Sequence, residues 1–127
     1  MTGAMIAALV CVAGGIGAAL RLILDGMIRN RIISTYPVAT TTINLSGSLV
    51  LGLLAGLAAH QFLPHSAYLI VGTGLLGGYT TFSTASFETV RLLEDRRYVA
   101  AVLNGFGTLV AGTAAAACGF WIGLAAT

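Results

Sequence analysis

Residues 77–86 read GGYTTFSTAS: two glycines, then Thr80, Thr81, Ser83, Thr84 and Ser86 within seven positions. The ten residues before them, AYLIVGTGLL, are apolar enough to lie in hydrocarbon. Hydroxyls at such a place compete for the backbone groups that a helix would use, and Gly77 and Gly78 can leave helical geometry at low cost. The combination predicts a helix break. Non-helical backbone at membrane depth persists only where protein buries it or where it lines a cavity. Freed carbonyls there can coordinate a cation, the hydroxyls can donate to an anion, and Phe82 can present the electropositive edge of its ring. Together these residue types predict an ion site.

Three further polar residues fall in or beside apolar sequence. Asn44 lies in TTINLSGS, where an amide needs a partner in protein or in a water-filled cavity. It reads either as a hydrogen-bonding link between helices or as part of the site. Glu88, just after the hydroxyl run, is either a pore-mouth carboxylate or an interfacial group reaching for water. Arg21 carries the same ambiguity, between an anion-attracting vestibule and a snorkelling anchor.

The elements that must position these residues follow from composition. The chain has 127 residues, 57% hydrophobic and 8% charged, with no lysine, and a mean hydropathy of +0.96. A water-covered domain carries about 25% charged residues, so the solvent here is lipid. Four apolar stretches account for nearly everything: 2–24, 38–59, 67–87 and 98–127. Each exceeds the ~20 residues that cross a hydrocarbon core as a helix. The expected fold is therefore an all-α membrane protein of four transmembrane helices, the third broken near its centre, with 1–127 as one four-span domain. The first stretch lacks a basic leader and reads as a retained helix rather than a cleaved signal. Connections at 25–37, 60–66 and 88–97 leave no room for a soluble active site.

All six basic side chains, Arg21, Arg29, Arg31, Arg91, Arg96 and Arg97, fall at one face of such a bundle, with only His60 and His65 at the other. Basic residues in short loops stay in the cytoplasm. Both termini are thus expected outside, in a multi-pass protein of the cell membrane. Gly52 and Gly56 form a small-xxx-small pair for close helix packing. Four short helices enclose little space, so a pore or cavity calls for a second subunit.

Several functions are excluded. Gly72, Gly74 and Gly77, with Glu94 beyond, imitate a dinucleotide fingerprint, but that motif needs a strand and a βαβ unit. Cys11 and Cys118 sit in the first and last spans, away from both histidines, and read as packing residues. No nucleophile or catalytic dyad is present, and nothing points to nucleic acid. This is not an enzyme.

GGIGAALRLIL at 14–24, TTTINLSGSLVLGLLAG at 40–56 and GLLGGYTTFSTASFET at 74–89 resemble the CrcB/Fluc family of fluoride channels over almost the whole chain. The resemblance implies a small subunit that pairs antiparallel with a second, inverted one and conducts fluoride passively, so that cells shed it. It implies a structural sodium ion at the dimer interface, bound by the backbone carbonyls of Gly77 and Thr80, and so a metal-binding protein. Asn44 matches a pore asparagine that donates to fluoride. Phe82 matches the first of two phenylalanines whose ring edges face the ion. Ser83 and Thr84 match a hydroxyl track, Arg21 a vestibule arginine, and Glu88 a carboxylate near the pore. Thr108 matches loosely a continuation of the polar track.

One departure stands out. The family pattern TFSTF reads TFSTA here, with Ala85 in place of the second ring. A dual-topology homodimer also favours a balanced arginine distribution, whereas this chain is six to none. Both features favour a heterodimer with a related subunit over a homodimer. Two other readings stay open at this point. A small multidrug-type proton-coupled exporter needs a membrane-embedded acid in the first span, where none precedes Asp25. A nonconducting partner subunit is the other, suggested by Ala85.

Overall fold

The computed structural model describes all of residues 1–127, and its regular secondary structure is all helical. Helix α1 spans Gly3–Arg31, opened by a Thr2 side chain that accepts from the Met5 amide. Helix α2 spans Val38–Ala59, directly after Pro37, whose missing N–H is harmless at a helix start. Helix α3 covers residues 65–79 in three pieces, His65–Tyr68, the π-helical Leu69–Leu76 and Gly77–Tyr79. Helix α4 spans Ser83–Glu94. Helix α5 covers Tyr98–Ala125, with a π-helical stretch at Leu103–Gly107.

The four-helix plan with an interrupted third helix is what the structure shows, with one correction. Only α1, α2 and α5 are long and apolar enough to cross a membrane as single helices. The third expected span is two shorter helices, α3 and α4, neither of which suffices alone. Helices also run further than the apolar stretches imply. Helix α1 continues to Arg31, so its connection to α2 is 32–37, and α4 continues to Glu94, leaving a tight turn at 95–97. Charged residues at helix ends obscure such boundaries because they satisfy helical geometry as well as apolar ones do.

Two seams hold the bundle together. On α2, Gly52 and Gly56 face the carbonyls of Ala116 and Phe120, while Gly119 and Gly123 on α5 face those of Leu49 and Leu53. A methyl group on any of the four would collide with backbone, so this crossing exists only because the side chains are absent. On the other side, Gly17 of α1 lies against Leu75, and Gly78 of α3 lies against the Gly14 carbonyl. Helices in lipid gain little from burying oily surface and associate through such close packing.

Only 17 of 127 residues are buried. Large apolar side chains such as Val12, Phe106, Val110 and Trp121 are exposed instead. With three apolar helices long enough to span, this outward-facing surface is that of a multi-pass membrane protein.

Candidate functional site

The interruption falls at Thr80–Phe82, three residues beyond the first glycine of the pair. Thr80 is extended (φ −79°, ψ 162°), and Phe82 returns to helical angles. Gly77 remains helical (φ −61°, ψ −40°), and no glycine in the chain has a positive φ. The expectation that Gly77 and Gly78 supply the bend is thus corrected. Gly78 is needed as a small residue where α3 crosses α1, and Gly77 has nothing within 4 Å of its Cβ position.

What holds the chain open is Asn44. Its Nδ2 donates to the Thr81 carbonyl at 2.8 Å, and its Oδ1 accepts from the Thr81 amide at 2.8 Å. One side-chain amide therefore pairs with both backbone groups of a single residue and replaces the bonds that the helix gives up. The second Nδ2 hydrogen is not consumed by this pairing. Thr81 Oγ1 in turn accepts from the Thr84 amide at 3.2 Å and meets Thr84 Oγ1 at 3.1 Å, capping α4. Ser83 Oγ lies 3.5 Å from Thr81 Oγ1. Thr80 Oγ1 donates back to the Leu76 carbonyl at 2.9 Å, within its own preceding turn.

These bonds divert two amides. In an unbroken helix the Gly77 carbonyl would accept from Thr81 and the Thr80 carbonyl from Thr84. Both amides are occupied by side-chain oxygens instead. Gly77 and Thr80 line one cleft with Asn44, Phe82, Thr108 and Asn104. The cleft encloses about 800 Å³, opens on one side of the bundle and has polar residues from α2, α3, α4 and α5 on its wall. Phe82 is 87% exposed there, so its ring has no cover within the chain. Thr108 Oγ1 is buried and has no hydrogen-bond partner.

Ser83 and Thr84 stand at the start of α4, beside the break, and Glu88 lies further along the same helix; none of these three, nor Arg21, lines the cleft. Arg21 Nε reaches the Gly78 carbonyl at 3.4 Å, setting a cation at the negative end of α3. Glu88 Oε1 accepts from Thr40 Oγ1 at 2.7 Å and from Arg29 at 3.2 Å; Oε2 is buried without a partner. Arg29 also pairs with Asp25 at 2.7 Å, so the first helix's only acid is committed to an ion pair at the helix end.

Two features lie outside the sequence reading. Asn104, 3% exposed, donates to the Ala85 carbonyl at 3.3 Å and to Thr89 Oγ1 at 2.8 Å, tying α4 to α5 beside the position of the missing ring. Its signal was present, since it is an amide in apolar sequence like Asn44. The Arg29–Glu88 bridge joins residues 59 positions apart and had none.

The expectation of a metal-binding protein is corrected as regards side-chain ligands. No three His, Cys, Asp or Glu side chains come together to hold an ion. The six acidic and imidazole groups divide between opposite ends of the bundle, and both cysteines are exposed on α1 and α5.

A family model described as "CrcB-like protein, Camphor Resistance (CrcB)" matches residues 8–120, from α1 into α5 and across the break. The chain belongs to the CrcB family. Among curated relatives, it is 51% identical to "Fluoride-specific ion channel FluC 1" of Leifsonia xyli subsp. xyli, over 90% of this chain and 83% of that protein. It is 49% identical to "Fluoride-specific ion channel FluC 2" of Mycobacterium bovis, over 86% of this chain and 83% of the relative. A "Fluoride-specific ion channel FluC 3" of Bifidobacterium longum is 41% identical over 90% and 94%. CrcB family proteins are channels rather than enzymes.

Proposed function

We propose that this chain is a subunit of a passive fluoride channel in the cell membrane, lowering cytoplasmic fluoride. The observation that carries the reading is the Asn44 clasp on Thr81, which keeps α3 and α4 apart and leaves dipoles facing an open cleft. Fluoride is small and strongly hydrated, so a path for it must offer close donors in place of water. The free Nδ2 hydrogen of Asn44, the hydroxyls of Ser83, Thr84 and Thr108, and the edge of Phe82 are such donors. The N-terminus of α4 adds partial positive charge toward an anion. Arg21 draws anions to one mouth, and Glu88 borders the path on the arginine-rich side. Relatives named as fluoride-specific channels support the same reading.

The exposed Phe82 and the one-sided cleft favour completion by a second, inverted subunit. The six-to-none arginine distribution and Ala85 favour a related partner of opposite orientation over a second copy, with both termini of this chain outside. The proposal retains a structural sodium ion at that interface. The carbonyls of Gly77 and Thr80, released from their helical donors, are hard oxygen ligands that fit it. When bound, the ion would supply fixed positive charge in a region of low dielectric.

Fluoride efflux from liposomes tests the function. The chain reconstituted with a second CrcB-family subunit from the same genome should release fluoride rapidly and chloride slowly. Release by neither the pair nor the chain alone refutes the channel reading; rapid release by the chain alone refutes only the need for a partner. Nothing favours the proton-coupled exporter, because α1 carries no acid other than the paired Asp25.

A further inference from the structure

A second cavity lies at the arginine-rich end, away from the break. It is an open groove of about 580 Å³ between the 32–37 connection and the 95–97 turn, lined by Tyr36, Arg96, Arg97, Tyr98, Val99 and Leu103 among others. Neither arginine forms an ion pair; the only salt bridges of the chain belong to Arg29. The turn that presents them is tightly built. Arg96 donates its amide to the Leu93 carbonyl at 3.0 Å and Arg97 to the Leu92 carbonyl at 2.9 Å. This closure sets Arg96 at a φ of 57°, where glycine is the usual residue. From this turn Arg96 and Arg97 both line the groove.

Below the groove the wall is apolar. Val99, Leu103 and Phe106 recur along one face of α5 and are 76%, 56% and 71% exposed. A basic, tyrosine-flanked cradle that opens directly onto an exposed apolar stripe has the two-part chemistry of a phospholipid. The guanidinium pair suits a phosphate, the tyrosines suit the headgroup level of a membrane, and the stripe suits an acyl chain. A free phosphate ion would use only the first of these. We propose that this groove binds the headgroup of an anionic phospholipid, with one acyl chain along Val99, Leu103 and Phe106.

The test uses the intact purified protein in detergent and reads its thermal stability while phosphatidylglycerol or phosphatidylcholine is titrated in. Phosphatidylglycerol should stabilise at a lower concentration. The doubly substituted Arg96→Gln, Arg97→Gln protein should require about 30-fold more, corresponding to about 1 kcal/mol per basic residue near an anionic surface. The charge-matched pair Arg31→Gln, Arg91→Gln, exposed on the same face but outside the groove, should titrate like the wild type. Equal weakening by both pairs overturns the proposal in favour of diffuse attraction. Equal stabilisation by inorganic phosphate overturns the lipid as occupant. Indifference to the headgroup overturns the site. Because no fluoride flux is measured, failure here is separate from failure of the channel reading.

Discussion

Replacing Asn44 with alanine removes both 2.8 Å bonds to Thr81 and leaves an amide and a carbonyl without partners at the break. Hydrogen bonds between membrane helices average only about 0.6 kcal/mol each, which sets a floor near 1.2 kcal/mol for the pair. Orphaned buried groups cost about 1–3 kcal/mol each, and the cleft admits some compensation, so a loss of about 2–3 kcal/mol is expected. At roughly 3–4 °C per kcal/mol for a chain of this size, the melting temperature should fall by about 6–12 °C. Asn44→Asp keeps the acceptor for the Thr81 amide but sets a carboxylate oxygen against the Thr81 carbonyl, so it should be no more stable than the alanine variant. Thermal unfolding followed by size exclusion in detergent, alongside fluoride efflux from liposomes, reads fold and flux separately. If Asn44→Ala abolishes flux while its melting temperature stays within about 1 °C of wild type, Asn44 acts on the ion alone. The break is then not held open by the Asn44–Thr81 pairing.

Gly52→Val and Gly119→Val drive side chains into opposing backbone; each should destabilise by about 3 kcal/mol or more, visible as loss of monodisperse protein. Phe82→Ile, at a residue 87% exposed in the chain, should leave the subunit's helix content intact by circular dichroism while reducing fluoride efflux. Glu88→Gln retains an acceptor for Thr40 but removes the ion pair to the half-exposed Arg29; stability should fall by less than ~1 kcal/mol. That difference from wild type should shrink at high salt in the same melting assay.

The amino-acid sequence by itself determined the solvent, the helices and the existence of an interruption. Mean hydropathy of +0.96 with 8% charged residues leaves lipid as the medium, and lipid leaves helices as the local structure. The cluster of Thr80, Thr81, Ser83 and Thr84 announced the break because hydroxyl competition for backbone groups is a local effect. Where the chain opens was decided only in three dimensions. The glycines at 77 and 78 look like the hinge, yet they stay helical, and the opening falls at Thr80–Phe82 because Asn44, 37 positions away, pairs with Thr81 there. The glycine seams, the Arg29–Glu88 bridge and the Asn104 link to Ala85 and Thr89 belong to the same class. Each depends on which helix lies against which. The Thr84 amide finds its substitute partner locally in Thr81 Oγ1, but the Thr81 amide and carbonyl are paired by a side chain from another helix, which only tertiary packing supplies.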